Sequence, residues 1–124
     1  MAGCDIVVAG HLCLDITPEF PREAGAARLT DILRPGTLLE VGECTVSTGG
    51  AVSNTGIALH KLGLDVRVMG KIGDDAFGEA VLAVLEENGC GGAIVVPGEQ
   101  TSYTIVIAPP GIDRMFLHCT GTND

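Results

Sequence analysis

The chain contains one unit twice: a helical stripe, a glycine that ends it, and a short apolar run a few residues on. In residues 51–62, Thr55, Leu59 and Leu62 recur at i, i+4 and i+7, with Ala51 and Ala58 on the adjacent flank, which predicts a helix. Gly63 is placed to end it as a C′ residue with Leu64 making the accompanying apolar contact, and 65–70 reads as a strand. Asp74 or Asp75 can cap a second helix with the stripe Phe77, Val81, Val84 and Leu85. Gly89 stops that helix before Cys90, and 93–96 follows as a short strand. Ahead of both units, Asp5-Ile6-Val7-Val8-Ala9-Gly10 reads as a strand buried on both faces. The order β-α-β-α-β predicts an open parallel sheet with right-handed crossovers and covering helices. Gly56, inside the first helix, costs up to roughly 1 kcal/mol against Ala. Close packing against a neighbour is the expected compensation.

The remainder follows a different pattern. Residues 37–47 alternate, with Leu39, Val41, Thr45 and Ser47 on one parity and Leu38, Glu40, Cys44 and Val46 on the other. Gly42-Glu43 sits between the halves as a turn or bulge. Residues 101–108 and 114–119 read as a hairpin around Pro109-Pro110-Gly111-Ile112-Asp113. Between His11 and Gly36, three prolines and scattered charge predict a long connection. A small antiparallel sheet is therefore expected to interrupt the parallel one.

Composition narrows the function classes. Apolar residues make up 46% and aromatics 3%, so the core is aliphatic. A net charge of −9 argues against a nucleic-acid surface. No apolar run approaches the roughly 18 residues of a membrane span, and Asp5 interrupts any signal-peptide pattern. The expectation is a soluble, cytoplasmic protein. The five cysteines are odd in number and lack Cys-x-x-Cys spacing. Reduced, buried thiols are the simple reading; a His–Cys metal site would need the fold to gather His11, His60 or His118, and no local spacing does so. No metal site is expected.

The Gly49-Gly50 pair opens the first helix. Without Cβ atoms, a ligand can approach the backbone there, and the first helical amides lack intrahelical partners. Asn54 adds an amide that both donates and accepts. The spacing matches neither a P-loop nor Gly-x-Gly-x-x-Gly, and Gly10 to Asp15 also lacks the latter, which excludes a Rossmann dehydrogenase. On residues alone, a plain strand-to-helix turn fits as well as a ligand cradle. Asp15 lies beyond the carboxyl end of the first strand, where open α/β sheets gather ligands. There it fits both a solvated loop acid and a carboxylate that accepts from vicinal hydroxyls.

Thr48-Gly49-Gly50-Ala51-Val52-Ser53-Asn54-Thr55-Gly56-Ile57-Ala58-Leu59, then Leu62-Gly63, then Val68-Met69-Gly70-Lys71-Ile72-Gly73-Asp74-Asp75-x-x-Gly78, resembles the N-terminal signature of the ribokinase-like (PfkB) carbohydrate kinases. Gly10 to Asp15 resembles that family's first strand and substrate aspartate, and Gly121-Thr122-Asn123 the segment after its lid. The resemblance implies a Rossmann-like α/β fold with a small antiparallel β lid. It divides the chain into a partial ribokinase-like domain, 1–124, with a core at 1–16, 48–100 and 120–124 and a lid at 37–47 and 101–119. It further implies transfer of the γ-phosphoryl of Mg-ATP to a sugar or nucleoside hydroxyl. Carried over by position, Asp15, Gly49, Gly50 and Asn54 hold the acceptor, Asn123 faces the phosphate side, and Tyr103 and Arg114 on the lid touch the substrate.

One departure is large. The family's Gly-Ala-Gly-Asp motif, which holds its catalytic base, has no match; Thr120-Gly121-Thr122-Asn123-Asp124 follows the lid directly and has Asn for the second Gly. Asp124 is therefore not taken as the base, and no catalytic residue is expected in this chain. The reading is an N-terminal, acceptor-binding portion, a fragment or truncated product, inactive alone and without bound ATP or Mg2+. The alternatives are a non-catalytic sugar-binding module and a dimerisation module. Lids in the family often pair between subunits, so a homodimer through the lid is expected, with no nucleic-acid or membrane partner.

Overall fold

The computed structural model describes residues 3–22 and 28–123; Asp124 lies outside them. In chain order the elements are β1 (Ile6–Ala9), β2 (Cys13–Pro18), α1 (Leu29–Ile32), β3 (Cys44–Gly49) and α2 (Gly50–Lys61). There follow β4 (Val66–Met69), β5 (Lys71–Gly73), α3 (Ala76–Glu87), β6 (Ile94–Val96), β7 (Tyr103–Ile107) and β8 (Met115–Cys119), then a 3-10 turn at Gly121–Asn123.

The parallel part is as the β-α-β-α-β order predicts. β1 pairs parallel with β4, Ile6 opposite Val66, and β5 pairs parallel with β6, Lys71 opposite Ile94. Only Gly70 separates β4 from β5, yet each pairs within its own two-stranded sheet, β1-β4 and β5-β6. Both helices end in the expected glycine caps. Gly63 (φ 91°) and Gly89 (φ 72°) take the left-handed conformation. The next amides, Leu64 and Cys90, return to the carbonyls of Leu59 and Leu85 at 3.3 and 2.9 Å. Asp75 is the N-cap of α3 and accepts from the Gly78 amide.

The buried face of α2 differs from the expected stripe. Val52, Ser53 and Gly56 are buried, whereas Leu62 is 79% exposed and Thr55 faces outward. Close approach is the reason: a Cβ at Gly56 would lie 2.7 Å from Val68 Cγ1, so the small-residue side of the helix meets the sheet, with Ile57 and Leu59 packing beside it only half-buried. The core joins Val52, Val66, Val68, Ile72, Val81, Leu85 and Cys90 to Leu12 and Leu14. Full burial of each aliphatic side chain contributes about 1.5–3 kcal/mol.

The second sheet has four strands in the order β3-β2-β7-β8. β2 is antiparallel to β3, with Cys13 opposite Gly49 and Asp15 opposite Ser47. It is parallel to β7, with Leu14 opposite Tyr103 and Asp15 opposite Thr104. β7 and β8 form the expected hairpin. Two features correct the sequence pattern. The stretch after His11, read as connection, contains the central strand β2; the alternation Cys13-Leu14-Asp15-Ile16 is interrupted only by Pro18 at its end. Residues 37–43 form no strand, and β3 pairs with β2 instead of folding back at Gly42-Glu43.

Candidate functional site

Because side chains alternate across a sheet, the register sorts this one into two faces. Cys13, Asp15, Ser47, Thr104 and His118 share one face with Gly49; Leu14, Ile16, Tyr103 and Ile105 share the other. The first face is polar and meets the mouth of α2. The second is apolar and meets α3, where Tyr103 stands edge-on to Phe77 with ring centroids 5.2 Å apart.

At the helix mouth the glycine pair is required twice, for different reasons. Gly49 has an ordinary extended backbone (φ −123°, ψ 180°), but a Cβ there would lie 2.7 Å from Asp15 Oδ1. The bare glycine is what seats the carboxylate. Gly50 has φ 89°, and a Cβ would overlap the His11 carbonyl group. That carbonyl accepts from the Val52 amide at 3.1 Å, which ties the β1–β2 connection to the first turn of α2. The remaining first-turn donors, on Gly50 and Ala51, have no acceptor among the described residues.

The structure therefore brings Asp15, Gly49 and Gly50 together. Asn54 sits on the second turn of α2, exposed, and its amide makes no hydrogen bond among the described residues. Asn123 is tied to Leu12 at both ends of its amide: its Nδ2 donates to the Leu12 carbonyl at 2.9 Å, and its Oδ1 accepts from the Leu12 amide at 3.3 Å. It clips the chain after the last strand to the segment after β1. It also lines, with Gly10, His11, Gly70 and Lys71, a cleft of about 450 Å³ beyond the ends of β1 and β4. Two expected contacts fall elsewhere. Tyr103 is on the opposite face from Asp15 and lines a separate cleft of about 440 Å³ with Ile16, Phe77 and Ile105. Arg114 is exposed in the β7–β8 turn, one residue before β8 and roughly 15 Å along the strand from Cys119.

Other groups join Asp15 that no local spacing indicated. Cys13 Sγ donates to Asp15 Oδ1 at 3.4 Å and lies 3.9 Å from Thr104 Oγ1. Thr104 Oγ1 is 2.9 Å from His118 Nδ1. His118 in turn packs on His11, centroids 5.4 Å apart. Burial, with the Asp15 charge adding to it, pushes the Cys13 thiol up to about 11, so it stays protonated at neutral pH. His11 and His118 are brought together near Cys13, whereas His60 lies against Gly89, and among the described residues no group of three or more His, Cys, Asp or Glu side chains could hold a metal ion. Asp75, the other carboxylate of a signature segment, is committed to the Thr101 and Gly78 amides and to the Thr101 hydroxyl. No helix among the described residues is long and apolar enough to cross a membrane.

Comparison with known proteins agrees with this architecture. The family described as pfkB family carbohydrate kinase matches residues 6–123. Fructokinase-1 of Zea mays is 31% identical over 119 residues, which cover 94% of this chain and 33% of the relative. Fructokinase-1 of Oryza sativa subsp. japonica is 34% identical over 121 residues, with the same coverage. Among solved structures, the ribokinase of Arabidopsis thaliana complexed with ribose and ATP superposes with a TM-score of 0.77 at 21% identity, covering 98% of this chain and 38% of that one. The ribokinase of Giardia lamblia gives 0.76 at 24% identity, covering 96% and 36%. These two share the ribokinase-like fold. The chain spans about a third of the length of the curated relatives it matches. With the glycine pair, the small-residue helix and the interrupting sheet all in place, the chain belongs to the pfkB family of carbohydrate kinases.

Proposed function

We propose that this chain forms the acceptor-binding side of a sugar kinase, in which the γ-phosphoryl of ATP passes to a sugar hydroxyl in the complete protein. The observation that carries the reading is the Asp15 carboxylate seated on Gly49 at the mouth of α2. A carboxylate accepts from sugar hydroxyls, and the Gly50 and Ala51 amides at the same helix mouth and the exposed Asn54 one turn on offer donors. The four-stranded sheet serves as the lid, its polar face toward the acceptor. Fructose is the first acceptor to test, because the two relatives that exceed 30% identity over 94% of this chain are fructokinases; ribose and nucleosides are the alternatives.

The donor side is a separate matter. Phosphoryl transfer needs a positioned nucleotide, charge stabilisation and a group to orient the nucleophile. The described residues do not fit Mg-ATP: no carboxylates are gathered for a cation, and Asp75 is occupied as a helix cap. No step is assigned to the nucleotide here, and the chain by itself is expected to bind sugar without phosphorylating it. Association through the lid belongs to the same reading. β8 is an edge strand, and its Met115, Phe116 and Leu117 are 38%, 59% and 52% exposed. Such an edge is a template for a second copy.

Isothermal titration of the full chain with D-fructose, D-ribose and adenosine tests the reading. Heat of binding with one of them, lost in Asp15→Ala, supports it. A folded chain that binds none of the three would remove it. Light scattering at micromolar concentration should give a dimer mass.

A further inference from the structure

The contacts around Asp15 cross three strands. Thr104 on β7 stands opposite Asp15 on β2, and His118 on β8 stands opposite Thr104. Cys13, two residues before Asp15, points to the same face. Cys13 and Thr104 are 4% and 7% exposed, so their polar atoms must find partners within the protein. Among the described residues, every buried side-chain nitrogen and oxygen does.

Counting hydrogens fixes the direction of these contacts. A thiol carries one hydrogen, and Cys13 gives it to Asp15 Oδ1. Its sulfur can then only accept, so the hydrogen between Cys13 and Thr104 comes from the threonine hydroxyl. With that hydrogen spent, Thr104 Oγ1 must accept from His118 Nδ1. The reverse choice, Thr104 donating to His118, leaves the Cys13–Thr104 contact without a hydrogen. Only the head-to-tail order serves all three contacts, and each donor then points toward the carboxylate.

We propose that His118, Thr104 and Cys13 are positioning residues: they form a donor chain that holds Asp15 by Oδ1, so that Oδ2 alone is offered to the acceptor. The proposal rests on the acceptor-site reading above and deepens it. Asp15 Oδ2 takes no hydrogen bond among the described residues and lies against the bare face of Gly49. A carboxylate with one oxygen fixed is set at a single angle, whereas a free one rotates about its last bond and loses entropy on binding. The thiol is suited to its place because it keeps its proton: with its ionisation raised to about 11, it remains a donor throughout the neutral range. The chain also ties lid strand β8 to β2, so a shift of the lid edge reaches the carboxylate.

Two measurements on the full chain separate this proposal from the reading it rests on. The first needs no sugar. At mildly alkaline pH, where imidazoles are neutral, long-range 15N–1H correlation spectra assign the tautomer of His118. We expect Nδ1–H in the wild-type chain and Nε2–H in Thr104→Val. Wild-type His118 with a bare, accepting Nδ1 would overturn the proposal while leaving the acceptor site untouched. The second is titration with D-fructose, ribose or adenosine, whichever binds. Thr104→Val should weaken binding by about five- to ten-fold, the effect of one lost hydrogen bond. Thr104→Ser should restore it, since it returns the hydroxyl without the methyl. Equal affinity in Thr104→Val and wild type would overturn the proposal, as would loss in Thr104→Ser equal to that in Thr104→Val. Absence of any sugar binding in the wild type would instead count against the acceptor site, and the tautomer result would stand by itself.

Discussion

Gly49→Ala separates function from folding at the helix mouth. The backbone at Gly49 is extended (φ −123°, ψ 180°), a conformation open to alanine, so the substitution carries no backbone strain. Its one consequence is steric. The new Cβ would lie 2.7 Å from Asp15 Oδ1 and 2.8 Å from its Cγ, against an ordinary carbon contact of about 3.5–4.0 Å. The carboxylate must therefore shift by about 1 Å. It is the end of a short side chain and can move, so the folding cost is small. Loss of backbone freedom in the unfolded chain, worth about 0.4–1 kcal/mol in favour of alanine, offsets part of it. The cost falls on the acceptor. Hydrogen bonds to a charged group contribute about 1.5–3 kcal/mol, so displacing the carboxylate should weaken sugar binding by about 10- to 150-fold. The assay pairs titration calorimetry with thermal unfolding. We expect a Tm close to wild type with the affinity loss above. Unchanged affinity in a folded Gly49→Ala chain would refute the seating of Asp15 on Gly49, and so would an affinity loss that merely follows unfolding.

Three further outcomes can be measured. Gly50→Ala, one residue on, should destabilise the fold by about 1–2 kcal/mol or more, read by urea unfolding, because φ there is 89° and the Cβ meets the His11 backbone. Burial alone would push the Asp75 carboxyl up, but the hydrogen bonds from Thr101 and the Gly78 amide outweigh it and hold it below the usual 3.8. Its contribution to stability is therefore present above the ordinary carboxylate range and lost as pH falls through the lower, folded-state value; a pH series of unfolding curves should show less acid loss in Asp75→Asn than in wild type. Iodoacetamide at neutral pH should alkylate exposed Cys44 first and leave Cys13 and Cys90 unmodified in the folded chain, since both are buried and their thiols are raised by desolvation. Mass spectrometry of the peptides reads the order.

The sequence by itself determined what depends on neighbours along the chain. Helices α2 and α3, their glycine caps at Gly63 and Gly89, the Asp75 N-cap and the β7–β8 hairpin all follow from periodicity and local backbone chemistry. The glycine pair and the resemblance it carries were legible for the same reason: an ordered run of residues is local information. Which face of α2 is buried was not, because Gly56 gains its place only by meeting Val68 on another strand. Nor was β2, whose one-sided alternation becomes a strand only once β3 and β7 supply partners. The tertiary structure alone put Tyr103 and Asp15 on opposite faces, since strand register, shifted by one residue, exchanges every side chain between faces. It also gathered Cys13 with Thr104, 91 residues apart in the chain, and brought His118 to join them. A contact at that separation leaves no periodic trace in the residues between, so only the folded sheet decides it.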